Sequence, residues 1–537
     1  MTNRFVHDRR GNFAVIGALA MMPLMLAVGL AVDIGAAVNL QTRMQSATDS
    51  AALALAREKT RPTIEQAKAM AAKMLNGNFR GLYSNLQVAR NGAEWEVTAD
   101  VASKNTFMHL IGMDRIPLKV SSRAAHSTMS YEIALVLDTT GSMEGDKIAN
   151  LKKAAKDMIT TMTKDLEEKE RVKFALVPFS TFVNVGPKFG PTLTRSGNNP
   201  VSQSGGAPWL DLNGATTATG AEIVKGVSRF RIFHNLGQSW EGCVETRQPS
   251  SSRKYDVEDL PATSGDPRSL FVPAFHFDDV DGDNKSYKGN DYLKDAPSWP
   301  TSIPSAHRKL LNKYGLPVNS NGTLASGNWH TPPGMDFSAT AIYGSGYREN
   351  KGPNFFCDSD PIVPLTTDYA KVRAAVDAIK PLGNTNTFEG VMWGWRVLSP
   401  GEPFAEGRPK DAFNNEKVLI LLSDGNNTWN KLSGNSFKSN YSSFGFLSQG
   451  RLVSASSSDA AITKKMDEKT LEGCTNAKAD GIVIYTIRLE LNDAGSSELL
   501  KKCASSEDHY FDVPDSDALQ ETFDEIRYRI NRIRLTH

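Results

Sequence analysis

Tyr131-Glu-Ile-Ala-Leu-Val-Leu-Asp138-Thr-Thr140-Gly-Ser142-Met143 is the stretch on which the fold turns. An apolar run with the character of a buried strand delivers a carboxylate and two hydroxyls at alternate positions. Alternate residues of a strand share a face, so the turn that follows can aim Asp138, Thr140 and Ser142 at one point. Oxygen donors of this kind suit a hard cation such as Mg2+.

Downstream, strands and helices alternate, which is the mark of a parallel sheet covered on both faces. A helix with apolar Ile148, Leu151, Ala155, Ile159 and Met162 leads to the strand 172–177. Helices over 368–382 (Val372, Val376, Ile379) and 388–398 (Val391, Met392, Trp395) precede the strand 417–422. The strand 482–489 and a closing helix with Leu519, Phe523, Ile526, Ile530 and Ile533 on one face follow. The pattern predicts an α/β domain over 131–537 with a doubly wound, mainly parallel sheet. Its interruption at about 186–361 is rich in Gly, Pro, Ser and Asn, yet holds Trp209, Trp240, Trp299, Trp329 and two cysteines. That composition predicts an ordered, loop-rich insertion rather than a disordered linker.

Upstream, Phe13 to Val32 carries no charge and is long enough to cross a bilayer as a helix. Arg4, Arg9 and Arg10 precede it and only Arg43 follows closely, which predicts a cytoplasmic tail at 1–11 and a transmembrane helix at 12–33. A cleaved signal peptide is the alternative reading; both export the rest of the chain. The residues after the apolar run continue the helical pattern without Gly or Pro from Ala36 to Glu58, predicting a helical stalk over 34–60. A helix over 63–76, alternating stretches at 86–90 and 94–101, and 116–121 predict a small α+β module over 61–130.

The 61 basic and 60 acidic residues nearly cancel, so no global field argues for nucleic acid as a partner. Cys243, Cys357, Cys474 and Cys503 form no CxxC pair, and three disulfide pairings are open to them. Cys243 with Cys357 and Cys474 with Cys503 is favoured, because each pair falls within one segment; free buried thiols are the alternative.

Ligands of open parallel sheets gather at the carboxyl ends of strands. Two strands end there in a carboxylate, at Leu137-Asp138 and at Leu422-Ser423-Asp424-Gly425, and Gly383-Asn-Thr385 puts a hydroxyl on the loop before a helix. Asp138, Thr140, Ser142, Thr385 and Asp424 would form an all-oxygen shell for Mg2+, with Mn2+ or Ca2+ as alternatives.

These residues resemble the von Willebrand factor type A domain and its metal-ion-dependent adhesion site, Asp-x-Ser-x-Ser with a later Thr and Asp. The resemblance covers about 131–190 and 362–535, and Thr140 stands where that family usually has Ser. Arg9-Arg10-Gly11-Asn-Phe-Ala-Val-Ile16 with its apolar run and Asp33-Ile-Gly, then Gln45-Ser-Ala-Thr-Asp49, resemble the TadG-like proteins of Flp (tight adherence) pilus assembly. Ile16 stands where true prepilins carry Glu, so neither processing nor polymerisation is expected.

The resemblances imply a single-pass protein of the bacterial inner membrane, its N-terminus cytoplasmic and its bulk periplasmic. Its function would be binding rather than catalysis. An acidic side chain of a protein partner in the pilus-assembly apparatus or cell envelope would meet the metal, with no nucleic acid and no small-molecule substrate. One alternative is a structural scaffold with a vestigial metal site. Another is a haloacid-dehalogenase-like phosphotransferase, which Asp138-Thr-Thr-Gly-Ser142 and Leu422-Ser-Asp424-Gly-Asn-Asn427 also resemble, with Asp138 as nucleophile. Asp278-Asp-Val-Asp281-Gly-Asp283 departs from calcium-loop spacing and is expected as an acidic surface turn, and the nine His residues show no zinc spacing.

Overall fold

The computed structural model describes residues 12–530 apart from 59–61, 92–93, 126–128, 165, 167–168, 217–225, 280–288, 295–311, 318, 320–323, 333, 342–347, 433 and 491–493. The expected cytoplasmic tail lies outside the described residues. The described chain forms two compact units, one up to Thr128 and one from Met129 to Ile530.

The first unit opens with α1 (Asn12–Arg57), a single helix whose portion Leu19–Arg57 is long and apolar enough to cross a membrane. Leu19, Met21, Leu24, Met25, Val28 and Val32 are exposed along it. After it come α2 (Ile64–Asn78) and the antiparallel strands β1 (Tyr83–Asn91), β2 (Glu94–Lys104) and β3 (Arg115–Ala125). Thr63 starts α2 with a reciprocal capping box to Gln66. The stretch expected as a stalk is part of this unit's core instead. Met44, Ala47, Ala51, Ala52 and Leu55 of α1 pack with Ala67, Ala71 and Leu75 of α2 and with Trp95, Val97, Ala99 and Val120 of the sheet. The alanines explain why: small side chains at helical spacing let two helices and a sheet approach closely.

The second unit is a mixed six-stranded sheet with helices on both faces. In chain order its elements are β4 (Ser130–Asp138), α3 (Asp146–Thr163), β5 (Val172–Phe179), β6 (Val363–Thr366), α4 (Tyr369–Ala378), α5 (Thr387–Leu398), β7 (Asn415–Ser423), α6 (Asp459–Ala479), β8 (Ile482–Leu489), α7 (Ala494–Cys503), β9 (Tyr510–Val513) and α8 (Leu519–Ile530). The spatial order is β6-β5-β4-β7-β8-β9, with β6 antiparallel to β5 and every other pairing parallel. Alternate strand residues feed two cores. Ile133, Leu135, Leu137, Val418, Ile420 and Leu422 meet α3, α4 and α8, while Ala134, Val136, Leu419 and Leu421 meet α5, α6 and α7.

Helix α5 packs against the sheet with Gly390 and Gly394, one turn apart, facing it. A Cβ at Gly394 would sit 2.5 Å from a Val136 methyl and 2.7 Å from one of Leu419. Gly394→Ala gains about 1 kcal/mol of helix propensity, but overpacking a rigid core costs roughly 1–3 kcal/mol. The expected net result is destabilisation, read as a lower urea midpoint at unchanged m-value. An unchanged midpoint would show that the core yields at this contact.

The described part of the insertion is ordered. Trp209, Phe230, Phe233, Trp240, Phe275, Tyr292 and Trp329 are buried with the α5 side of the sheet in one continuous core. Cys243–Cys357 closes the insertion and Cys474–Cys503 joins α6 to α7, the favoured pairing.

Candidate functional site

β4 and β7 are neighbours, and the strand order runs away from them in both directions. Loops leaving two such strands part to opposite sides and leave a crevice at the carboxyl edge. Asp138 closes β4 and Asp424 follows Ser423 at the end of β7, so both carboxylates stand at that edge. Backbone bonds stitch the three loops together. Gly141 N donates to Gly383 O (3.2 Å), Leu382 N to Thr139 O (2.7 Å) and Thr428 N to Thr385 O (2.9 Å). Gly383 holds φ +83°, and a Cβ there would lie 2.9 Å from the Thr181 hydroxyl, so this position requires glycine.

The five residues expected from the sequence come together as one hydrogen-bonded chain. Asp138 Oδ1 accepts from Thr140 N (2.9 Å) and from Thr140 Oγ1 (2.6 Å). Thr140 Oγ1 lies 3.0 Å from Ser142 Oγ and accepts from Thr385 Oγ1 at 3.3 Å. Ser142 Oγ donates to Asp424 Oδ1 at 2.7 Å. Asp138, Thr140, Thr385 and Asp424 are all buried, and Ser142 is exposed at the rim. Burial, then the nearby charge of Asp424, pushes the Asp138 carboxyl up to about 7, against the pull of its bonds from Ser423 and Thr140. A site that raises a carboxyl this way is short of positive charge.

Several contributors escaped the sequence reading. Ser423 Oγ donates to Asp138 Oδ2 (2.6 Å) and so fixes the carboxylate's second oxygen. Its position just before Asp424 was the available signal. Lys147, in the first turn of α3, places Nζ 2.8 Å from Asp424 Oδ2 and 3.9 Å from Glu490. Nothing in the local sequence announces a contact that spans 277 positions. Asn386 caps α5 through Glu389 N (3.4 Å), and Asn427 Oδ1 accepts from Thr387 N (2.8 Å), so both fix the helix that follows Thr385.

Among the described residues no three His, Cys, Asp or Glu side chains gather as a metal cluster. The donors here are two carboxylates and three hydroxyls, a hard-oxygen set that fits Mg2+ better than a soft metal. The acidic run at 278 is not the surface turn expected. Asp278 and Asp279 are buried; Asp278 pairs with Lys313 and accepts from Tyr292 N and Leu293 N (2.5 Å each). These bonds hold the insertion's interior, and Asp281 and Asp283 lie outside the described residues. His276 is buried among Phe355, Tyr441 and Phe446, and burial lowers it to about 3, so it is a neutral core residue.

Comparison with solved structures gives loose overlaps. The pilus adhesin SpaC from Lactobacillus rhamnosus GG superposes over 84% of this chain and 34% of its own, at 11% identity and TM-score 0.32. The vWF domain of the type V pili tip protein Mfa5 from Porphyromonas gingivalis overlaps 76% of this chain and 98% of its own, at 11% identity and TM-score 0.31. A von Willebrand factor type A protein from Catenulispora acidiphila overlaps 83% and 49%, at 11% identity and TM-score 0.26. This chain thus spans about a third of the adhesin's length, and overlaps this loose carry no functional inference. No curated protein matches the chain. A family model described as Tad, Flp pilus-assembly TadE/G-like, matches residues 11–57, the stretch that holds the apolar half of α1 and its packed continuation. Over residues 11–57 the chain is therefore similar to the TadE/G-like segment of Flp pilus-assembly proteins.

Proposed function

We propose that this is a membrane-anchored binding protein of a Flp-type pilus system, and that its second unit is a doubly wound von Willebrand factor type A domain working through a metal-ion-dependent adhesion site. The observation that carries the reading is the convergence of Asp138, Thr140, Ser142, Thr385 and Asp424 in one hydrogen-bonded chain at the reversal of strand order. Mg2+ bound by these oxygens would supply an attachment point for an acidic side chain of a partner protein. Ser423 and the Thr140 N–H orient Asp138, and the stitched loops hold Thr385 in place. Both oxygens of Asp138 are held by neighbours within the protein, which suits a fixed ligand better than the attacking nucleophile of a phosphotransferase. The apolar half of α1 supports single-pass anchoring in the inner membrane, with both units on the periplasmic side.

One observation favours a second reading, a scaffold without metal. The Lys147 ammonium already sits on Asp424 and supplies part of the missing positive charge. Surface plasmon resonance of the detergent-solubilised full chain over immobilised poly-glutamate discriminates the two. Saturable binding that requires Mg2+, vanishes in chelator and is lost in Thr385→Val is expected for the adhesion reading. Binding indifferent to chelator, or none at all, would leave the scaffold. An alkaline phosphatase fusion after residue 60 is expected to be active, and inactivity would overturn the topology.

A further inference from the structure

The β2–β3 connection, residues 105–114, exposes Phe107, Leu110, Ile111 and Met113 to 39, 74, 55 and 49 per cent within one short loop. Single exposed apolar residues are ordinary, but four in ten positions at one end of a sheet are not. The loop is rigidly aimed. Asp33 of α1 is buried, and its carboxylate accepts the N–H groups of Thr106 (2.9 Å), Phe107 (2.8 Å) and Met108 (2.7 Å). One turn toward the N-terminus, Gly29 makes room for the Phe107 ring, since a Cβ there would lie 2.5 Å from Phe107 Cγ. Four helical residues rise about 6 Å, so Phe107 reaches roughly one turn into the uncharged run that ends at Val32.

We infer that this loop is a second membrane contact, a foot that inserts its apolar tip into the outer leaflet beside α1. The inference rests on the reading of α1 as the membrane anchor. The occupant of the apolar tip is lipid, because the tip continues the exposed apolar surface of the helix at the same level. The loop's backbone is prepared for that setting, where unpaired N–H groups are costly. Besides the three bonds to Asp33, Asn105 N donates to Asp114 O, Leu110 N to Phe107 O, Gly112 N to His109 O and Met113 N to Met108 O, each at 3.0 Å. Lys104 and Arg115 face each other across the strands at its base. There their long stems can lie along apolar surface while their charges reach the headgroups.

All four cysteines are in disulfides, so one added cysteine can be labelled selectively in the oxidised protein. Leu110→Cys, Met25→Cys and Asn91→Cys would each carry an environment-sensitive fluorophore in the full chain, reconstituted into phosphatidylethanolamine–phosphatidylglycerol vesicles with doxyl-labelled lipid. Asn91 is at the opposite end of the sheet, beside the β1–β2 turn. The expected result is loss of most fluorescence at 25 and 110 and little loss at 91. Quenching at 25 without quenching at 110 overturns the foot and leaves the anchor standing. A blue-shifted but unquenched probe at 110 means that protein covers the tip, and equal quenching at 91 means that the sheet lies flat on the bilayer; both overturn the proposal. Quenching at none of the three removes the anchor reading, and the foot with it.

Discussion

Millimolar Mg2+ is expected to stabilise the second unit at pH 7.5, and Asp138→Ala combined with Asp424→Ala is expected to abolish the effect. At a hundredfold excess over Kd a ligand that binds only the native state contributes about 2.7 kcal/mol. For a unit of this size that is a rise of a few degrees in melting temperature. The pH dependence follows from Asp138, whose carboxyl is pushed from 3.8 to about 7 in the metal-free fold. The sign is fixed by linkage. The folded state holds this proton more tightly than the unfolded state, so the metal-free protein loses stability as pH rises from about 4 to about 7. A cation needs the ionised form, and its stabilisation therefore grows over the same range. At pH 5, two units below that value, apparent affinity should be about a hundredfold lower. Asp358, which burial also pushes up to about 7, titrates in the same window, so the informative quantity is the difference between Mg2+ and chelator at each pH. A difference that is flat between pH 5 and 8, or one that survives in the double variant, would falsify the assignment of the ion to this site.

Much of this site was legible because its chemistry is local to strand ends. Asp138, Thr140 and Ser142 share a five-residue turn, and Thr385 and Asp424 each follow an element that periodicity alone identifies. The residues that tune the site were not legible in the same way. Lys147 is one of several lysines on α3, and only the fold brings its ammonium to Asp424 rather than to water. The fate of residues 34–60 was half legible. Met44, Ala47, Ala51 and Leu55 recur at helical spacing, which marks a buried stripe rather than a free stalk, and Ala67, Ala71 and Leu75 are its counterpart. The insertion was legible as ordered from its tryptophans, but not in its connections, because those are made by buried charges whose partners lie far along the chain, as Arg451 does at 206 positions from Glu245.

Glu245→Gln tests those connections, and its expected cost is about 3–5 kcal/mol, because a buried ion pair is broken from one side. Glu245 is 1% exposed. Its Oε1 accepts from Arg229 Nη1 (2.6 Å) and the Tyr441 hydroxyl (2.5 Å), and its Oε2 from Arg451 Nη1 (2.5 Å). Burial pushes this carboxyl up, but the two guanidiniums outweigh it and hold the carboxyl below the ordinary range. Glutamine keeps the shape and removes the charge, leaving Arg229, itself 2% exposed, as a cation with no counterion. Replacing Glu245, Arg229 and Arg451 together by methionine should recover much of the loss, since well-packed apolar groups can substitute for buried ionic groups. Equal urea midpoints for the single and triple variants would show that the pairing carries no special cost. The consequence reaches the candidate site through the next residue. Thr246 Oγ1 donates to Glu389 and lies 2.9 Å from Ser443 Oγ, and Asn386 Nδ2, one position after Thr385, donates to that same serine oxygen (3.0 Å). Hydrogen exchange in the Glu245→Gln protein should therefore accelerate over 383–389 as well as around 245. Exchange confined to the insertion would mean that the insertion and the site are mechanically independent.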